Sequence, residues 1–365
     1  MLETALKLLK KIESNGFEAY IVGGFVRDIL LNRESLDVDI TTNARPMDIK
    51  QIFSDIFIPK VEYGSVTVFY QNIRFEITTY RKELAYINNR KPIDFVYIDD
   101  LLDDLKRRDF TINTICMNSD GKIIDLLDGK NDLDKKEINT VGNSYDKFNQ
   151  DSLRILRAIR FATILNFKLS DDVKESIKRT KKNLINLSYQ RKKDELDKIF
   201  SSSNAKYGVE LIKELELDKE LEIYNLNDIK LDVDIIGVWA SLNISDQYPF
   251  SKHEMELIKK IRDAIIENNL CNEVLYKYGL YVNIIAGSIK GLKKKDIVNK
   301  YEKLPITKRD DINITNKEIM ALLNRKGGSY LKDIYVDLTK LILNEQLKND
   351  KEELRKYILQ NYWTL

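Results

Sequence analysis

Apolar residues recur at helical spacing at the start of the chain. One side of a helix predicted over residues 1–15 carries five of them, Leu2, Ala5, Leu8, Leu9 and Ile12. Gly16 follows and is expected to end this helix, because glycine adopts the left-handed backbone of a C-terminal cap without a steric penalty.

Short strand-like segments follow this first helix. The pattern predicts strands over 18–22, 36–41, 65–70 and 73–80. The last two are separated by Gln71 and Asn72, which is typical of a β-hairpin. Helices over 26–31 and 46–53 are expected between strands, so the first ~140 residues are predicted to form an α/β region with a small sheet.

The pattern changes after Gly142. From Asp151 onward the apolar residues follow helical spacing, with few glycines or prolines. Amphipathic helices are predicted over 151–165, 171–181, 190–201, 205–215, 252–268 and 331–361. The expected architecture is therefore an α/β head followed by an all-helical remainder, with a further boundary near Leu270.

Composition limits the chemistry available to this chain. At 365 residues it exceeds the usual size of one domain, and its net charge of +2 means that any nucleic-acid surface must be a local patch. Two cysteines and one histidine exclude a disulfide framework and a site built on paired histidines. The sequence shows neither a signal peptide nor an apolar run of membrane-spanning length, so a cytoplasmic protein without a membrane partner is expected.

The first candidate site combines paired glycines with paired carboxylates. Gly23 and Gly24 follow an apolar strand, and their backbone can come close to a triphosphate. Asp37 and Asp39 are two residues apart, so in a strand both point to one side and would repel unless a divalent cation lies between them. The alternative is a tight turn with two surface carboxylates.

Glu76 extends this candidate site, because it lies on a neighbouring predicted strand. Three carboxylates on adjacent strands suit a two-metal phosphoryl-transfer site, in which one ion activates a hydroxyl and the other holds the triphosphate. The alternative is a surface residue that pairs with Arg74.

The second candidate site is the charged segment that contains Arg107, Arg108 and Asp109. Two arginines can bind phosphate or ribose, and the aspartate can orient them. The alternative is an ordinary charged helix terminus.

The third candidate site has an aspartate and three arginines at steps of three, Asp151, Arg154, Arg157 and Arg160. Such spacing keeps the side chains neighbours along one helix. A carboxylate with a guanidinium can read the donor-next-to-acceptor edge that adenine and cytosine share. The alternative is an amphipathic helix with a solvated basic side.

Together these segments resemble the class II tRNA nucleotidyltransferase/poly(A) polymerase family, which is related to DNA polymerase β, along essentially the whole chain. The resemblance implies an α+β fold whose N-terminal polymerase-β-like nucleotidyltransferase head has a small mixed β-sheet. The implied domains are a catalytic head (1–142), a nucleobase-recognition neck (143–204), a body (205–270) and a tRNA-binding tail (271–365), the last three all-helical.

The resemblance also implies roles for individual residues. Asp37 and Asp39 would be the Mg²⁺ ligands and, with Glu76, the catalytic residues. The nucleotide would be bound by Gly23, Gly24, Arg27, Arg108, Asp109, Asp151, Arg154, Arg157 and Arg160. Residues 124–133 resemble the family's hinge motif, and residues 191–196 resemble a helix that braces the site.

The implied activity is addition of C, C and A to the 3′ end of tRNA from CTP and ATP. The motifs 304–305, 312–319, 328–331 and 349–353 follow the Firmicutes-type pattern. Contacts to tRNA are implied for the tail, although its lysine run at 293–295 is also typical of a solvated surface. The alternatives are an enzyme of the same fold that adds only A or a poly(A) tail, and a non-catalytic RNA-binding protein.

Three positions depart from the family pattern. Gln150 and Gln190 replace glutamates, which removes a charge but keeps an acceptor oxygen. Asn88 replaces an aspartate in the flexible segment 81–92, whose length is that of the family and which CC-only relatives lack. The segment argues against a CC-only enzyme, and the Asn88 replacement leaves an A-adding enzyme open.

Overall fold

Alternating apolar residues build the sheet of the N-terminal part, as seen in a computed structural model of the chain. The structure describes residues 1–35, 37–53, 56–60, 64–87, 91–267 and 269–363, with backbone only for 56–60, 85–87 and 91–94.

The first part of the chain alternates helices and strands. In order these are α1 (Leu2–Glu13), β1 (Ala19–Val22), α2 (Gly24–Leu30), β2 (Asp39–Thr42), α3 (Pro46–Ile52), β3 (Ile56–Lys60), β4 (Ser65–Tyr70), β5 (Ile73–Thr79), β6 (Arg81–Ile87), β7 (Lys91–Tyr97), α4 (Leu101–Lys106), β8 (Cys116–Met117), β9 (Ile123–Ile124), α5 (Gly129–Lys135) and β10 (Glu137–Ile138).

The remainder is predominantly helical. It contains α6 (Ser144–Gln150), α7 (Leu153–Leu165), β11 (Lys168–Leu169), α8 (Asp171–Thr180), α9 (Tyr189–Phe200), α10 (Ala205–Glu214), α11 (Asp218–Leu221), β12 (Ile223–Tyr224), α12 (Ile235–Ser241), β13 (Asn243–Ile244), α13 (Lys252–Glu267), α14 (Asn272–Ile289), α15 (Lys294–Glu302), α16 (Asn316–Leu323), α17 (Tyr330–Leu343) and α18 (Lys351–Tyr362). This composition confirms the predicted α+β fold.

Strand order places Asp39 and Glu76 on adjacent strands in the middle of the sheet. Within the described residues the sheet has seven strands in the order β3-β4-β5-β2-β1-β8-β9. Strand β2 runs antiparallel to β1 and parallel to β5. In this register Asp39 lies opposite Val22 on one side and Glu76 on the other. Asp39 and Glu76 are therefore neighbours, next to the turn that follows β1.

Two compact units make up the described chain. One contains residues 1–224 with 245–249, and the other contains 225–244 with 250–365. In the first unit, α1 buries Ala5, Leu8, Leu9 and Ile12. In the second, a separate core of apolar residues from α14 to α18 includes Leu275, Ile319, Ile334 and Leu338. The four-part domain division stays a prediction.

Several predicted elements are confirmed and two need correction. The predicted hairpin forms, since β4 and β5 pair antiparallel with Tyr70 opposite Ile73. The predicted strand 36–41 instead starts at Asp39, so Asp37 precedes it. The predicted helix 331–361 is two helices, because Glu345 has a left-handed backbone and the Asp350 carboxylate caps a new helix.

The described part of the chain contains no helix that is both long enough and apolar enough to cross a bilayer.

Gly129 permits a close contact that orders the segment after α4. A Cβ at this position would lie 2.9 Å from the carbonyl carbon of Thr111 and nearer still to its oxygen. Backbone atoms cannot move aside as a flexible side chain can. Gly129→Ala is therefore expected to lower the free energy of unfolding by ~1–3 kcal/mol, measured by chemical denaturation.

The matched control is Lys130→Ala, on the exposed neighbouring residue of the same helix. This control is expected to change the free energy of unfolding by less than about 0.5 kcal/mol. Equal stability of the two variants would contradict the packing described at Gly129.

Candidate active site

One cleft is lined by members of all three predicted sets, although Asp37, Glu76 and Arg160 are not among its lining residues. Its volume is about 390 Å³. It is lined by Gly23, Gly24, Arg27, Asp39, Glu83, Arg107, Arg108, Asp109, Asn113, Asp151, Arg154, Arg157 and Phe161. Residues far apart in the sequence therefore face one space, as expected of a binding site.

The turn at Gly23 lets the first two sets approach each other. Gly23 has a φ of +82°, a conformation that glycine adopts without strain. A Cβ there would lie 3.6 Å from Asp39 Oδ2 and 3.9 Å from Arg108 Nη1. The backbone at Gly23 is thus close to both a carboxylate and a guanidinium of the cleft.

Asp37 and Glu76 both add negative charge near Asp39 at the start of β2. Val38 is buried, whereas Asp37 and Asp39 are exposed, so the alternation of the strand extends to Asp37 although it lies outside β2. Although Asp39 as a residue is exposed, the surrounding protein partly desolvates its carboxylate; this desolvation, and then the negative charges of Glu76 and Asp37, raise the pKa of Asp39 against the effect of Arg108. The accumulated negative charge favours a bound cation.

The donor set suits a hard divalent cation. Asp37 and Asp39 supply carboxylate oxygens, the ligand type that Mg²⁺ prefers, and such ions commonly take their remaining ligands from phosphate and water. Among the described residues no three His, Cys, Asp or Glu side chains converge into a complete ligand group. Glu76 lies opposite Asp39 in the sheet but does not line the cleft. It is therefore a neighbour of the Asp37–Asp39 pair and does not form a group of three ligands with it.

Arg27 is fixed beneath the cleft by two polar partners. Its guanidinium donates to Asp28 Oδ1 at 2.8 and 2.9 Å and to Asn113 Oδ1 at 2.8 Å. The guanidinium also lies 5.2 Å from the Phe161 ring centre. Asn113 and Phe161 were not selected from the sequence as site residues, because their contacts depend on tertiary structure.

Asp104 orients the two adjacent arginines. It is fully buried and accepts from Arg107 Nε at 2.8 Å and Arg108 Nη2 at 3.4 Å. Burial opposes ionisation of Asp104, but Arg107 and Arg108 outweigh it and lower its pKa. The prediction that Asp109 orients these arginines was wrong, since Asp104, at helical spacing from both, does so.

Asp109 instead links α7 to the segment after α4. Its Oδ2 accepts from Arg157 Nε at 2.7 Å, and its Oδ1 accepts from the Phe110 backbone N–H at 2.8 Å and the Asn113 amide at 3.2 Å. Burial would raise the pKa of Asp109, but Arg157 and Asn113 outweigh it and lower the pKa to about 2. Asp109 is therefore a stable anion that holds Arg157 in place.

Asp151 and Arg154 lie at the start of α7 and both line the cleft. Asp151 Oδ1 accepts from the Leu153 N–H at 3.0 Å. Burial raises the pKa of Asp151, while Arg191, at 4.0 Å, opposes the shift. Arg154 is buried, and its guanidinium donates to the Arg107 carbonyl at 3.3 Å. This hydrogen bond holds the Arg154 side chain in place.

Arg160 lies outside the cleft lining. Its Nε is 3.2 Å from Glu195 Oε2, and its guanidinium is 4.5 Å from the centre of the Phe161 ring. These contacts favour a bracing role for Arg160, between α9 and an aromatic residue of the cleft.

Two of the three residues that depart from the family pattern, Gln150 and Gln190, make side-chain hydrogen bonds in the structure. Gln150 Oε1 accepts from Arg154 Nη1 at 3.1 Å, so this glutamine uses the expected acceptor oxygen. Gln190 donates its amide N–H to Asp194 Oδ1 at 2.7 Å. Asn88 lies outside the described residues, between β6 and β7, which pair antiparallel.

Known proteins match each part of the chain. Family models match residues 19–139 (Poly A polymerase head domain), 166–221 (probable RNA and SrmB-binding site of polymerase A) and 241–358 (tRNA nucleotidyltransferase domain 2, putative).

Curated relatives match over nearly their whole length. A CCA-adding enzyme of Ligilactobacillus salivarius is 35% identical over 96% of this chain and 94% of its own. The CCA-adding enzyme of Oceanobacillus iheyensis is 30% identical over 98% of this chain and 97% of its own. That of Bacillus subtilis is 31% identical over 97% of each chain.

Solved structures share the fold. The Bacillus stearothermophilus CCA-adding enzyme in complex with CTP superposes with a TM-score of 0.83 at 24% identity, over 99% of this chain and 98% of that one. The Thermotoga maritima CCA-adding enzyme, in complex with tRNA, gives 0.70 at 20% identity over 98% and 94%. The near-complete coverage by relatives at 30% identity or more shows that this chain belongs to the CCA-adding enzyme family of tRNA nucleotidyltransferases, a generally metal-dependent family.

Proposed function

We propose that this protein adds C, C and A to the 3′ end of tRNA in the cytoplasm, using CTP and ATP and releasing pyrophosphate. The observation that carries the proposal is the single cleft in which Asp39, Gly23 and Arg108 meet Asp151 and Arg154. Relatives named CCA-adding enzymes align with 96–98% of the chain, which supports the same assignment.

The proposed chemistry takes place at Asp37 and Asp39, which would hold Mg²⁺. Bound Mg²⁺ would lower the pKa of the attacking ribose hydroxyl and offset the charge of the triphosphate. Both residues are exposed, and Asp39 lines the cleft beside Gly23. Glu76 adds negative charge beside Asp39, which strengthens the attraction for a cation.

The triphosphate and ribose would be held by the turn and the arginines. The absence of a Cβ at Gly23 and Gly24 opens the backbone to a bulky anion, and the cleft beside them contains Arg27 and Arg108. Asp28 and Asn113 fix Arg27, while Asp104 fixes Arg108. The two cations are therefore positioned before a nucleotide arrives, which reduces the entropy lost on binding.

The base would be selected by side chains at the start of α7. The Asp151 carboxylate accepts from the exocyclic amine that cytosine and adenine share, and the Arg154 guanidinium donates to the adjacent ring nitrogen. Both residues line the same cleft as Gly23 and Asp39. Protein groups thus take the place of a template strand.

Loss of either metal-binding carboxylate is expected to abolish the reaction. Asp37→Ala and Asp39→Ala should each lower incorporation of labelled CTP and ATP into tRNA by about a thousandfold, because several kcal/mol of charge stabilisation are lost. Binding of tRNA, measured by gel shift, should stay within about twofold, since tRNA would be held mainly through phosphate contacts elsewhere.

The control is Asp120→Ala, on an exposed aspartate that pairs with Lys10 at the surface. It should retain wild-type incorporation. Unchanged activity of the Asp37 and Asp39 variants would instead favour a non-catalytic RNA-binding protein.

Replacing Asp151 is expected to change the choice of base. In Asp151→Asn a two-acceptor carboxylate becomes an amide that also donates, so its match to cytosine and adenine weakens. Incorporation of C and A should fall about 10- to 100-fold, and the share of U or G should rise, as read by sequencing products made from all four nucleotides.

Asp146→Asn provides the control, because this exposed aspartate of α6 lies outside the cleft lining. If Asp151→Asn keeps the wild-type preference for C and A, Asp151 does not read the base.

A further inference from the structure

Lys147 connects the nucleotide-binding arginines with the base-reading helix. This buried lysine of α6 donates from Nζ to the carbonyl oxygens of Lys106 at 2.7 Å and Arg108 at 3.0 Å. The two acceptors flank Arg107. A single ammonium group therefore holds the backbone on both sides of Arg107, at Lys106 and at Arg108.

Arg154 completes the same attachment. Its Nη2 donates to the Arg107 carbonyl at 3.3 Å, and its Nη1 donates to the Lys147 carbonyl at 3.2 Å. Three consecutive carbonyls, those of residues 106, 107 and 108, thus accept hydrogen bonds from two cations of the neighbouring helices. A backbone hydrogen bond also connects Lys147 with the residue that precedes the base-reading helix: the Lys147 carbonyl accepts from the Asp151 N–H at 3.2 Å.

Helix physics explains why cations suit this position. Helix α4 ends at Lys106, and the last carbonyls of a helix lack partners within it. Positive groups stabilise such an end, both by hydrogen bonding and through the helix dipole. The Cα atoms of Arg107 and Arg108 lie in the backbone segment that these hydrogen bonds hold. The direction of both guanidinium groups therefore depends on the hydrogen bonds.

We infer that Lys147 is a positioning residue of the reaction: it fixes the backbone of residues 106–108 so that Arg107 and Arg108 face the nucleotide. This inference rests on the proposed function, in which the cleft binds CTP and ATP. Lys147 itself does not line the nucleotide cleft, so its effect on the nucleotide is exerted through the two arginines.

The surroundings of Lys147 make the protonation state of its amine depend on pH near neutrality. It borders a second cleft of about 320 Å³ whose other lining groups are Lys82, Glu83, Asp103, Lys106, Arg107 and Gln150. Burial, followed by Arg154, lowers the pKa of Lys147 to about 8, against the effects of Glu83 and Asp109. Above that pH the lysine becomes neutral, and hydrogen bonds from a neutral donor are weaker than charge-assisted ones.

The test compares KM and kcat for CTP and ATP in Lys147→Met and Lys147→Arg. Lys147→Met removes both bonds and should raise KM for the two nucleotides by a similar factor of about tenfold, with the CTP-to-ATP preference unchanged. Lys147→Arg keeps a cation with several donors and should retain KM within about threefold.

The matched control is Lys181→Met. Lys181 follows α8 and donates from Nζ to the Glu216 carbonyl at 3.2 Å and to the Glu216 carboxylate at 2.9 Å, but it does not line the nucleotide cleft. It should therefore lose stability in thermal unfolding while keeping KM within about twofold. A KM in Lys147→Met that is unchanged, or raised only as much as in Lys181→Met, would overturn the inference.

A pH profile tests the inference even if Lys147→Met does not fold. In the wild type, KM for CTP should rise between pH 7 and 9 as Lys147 loses its proton, whereas in Lys147→Arg the rise should be absent. Equal profiles in the two proteins would overturn the positioning role. Direct measurement of CTP binding separates this result from the proposed function, because wild-type protein that binds CTP without extending tRNA would contradict the function alone.

Discussion

Paired buried charges hold the cleft together. Asp104 is paired with Arg107 and Arg108, and Asp109 is paired with Arg157; a buried carboxylate without such partners would be strongly destabilising. The pair of Asp109 with Arg157 spans 48 residues and joins α7 to the segment after α4. Helix α7 therefore keeps its position relative to the Arg108 segment through electrostatic contacts as well as through apolar packing, such as that of Phe161 on Phe110.

The same charges make the cleft ready for an anion. Asp104 and Asp109 neutralise part of the positive charge, so Arg107, Arg108 and Arg157 can lie close together before a nucleotide binds. At the end of β2 the sign is reversed, and Asp39 and its neighbours accumulate negative charge. A magnesium–nucleotide complex offers the cation for one side and the phosphates for the other.

Much of this site follows from local sequence patterns. Glycines after a strand, aspartates two residues apart and arginines at steps of three each define a local geometry, and members of all three sets line one cleft: Gly23 and Gly24, Asp39, and Arg154 and Arg157. The hydrogen bonds and ion pairs that join these segments to one another could not be predicted in the same way. The partner of Asp109 is 48 residues away, and spacing within a segment carries no information about it. The single helix predicted over 331–361 was wrong for a local reason, the left-handed backbone of Glu345, which the apolar spacing does not show.

In the proposed function, protein side chains direct the addition of C, C and A at this cleft without a template strand. Sequencing of the products formed on tRNA that ends at the discriminator base, with CTP alone, ATP alone and both nucleotides, tests this directly. Two added C residues are expected with CTP alone, and a C-C-A end with both. No incorporation from CTP, or addition of A alone when both are present, would rule out C-C-A addition by this protein.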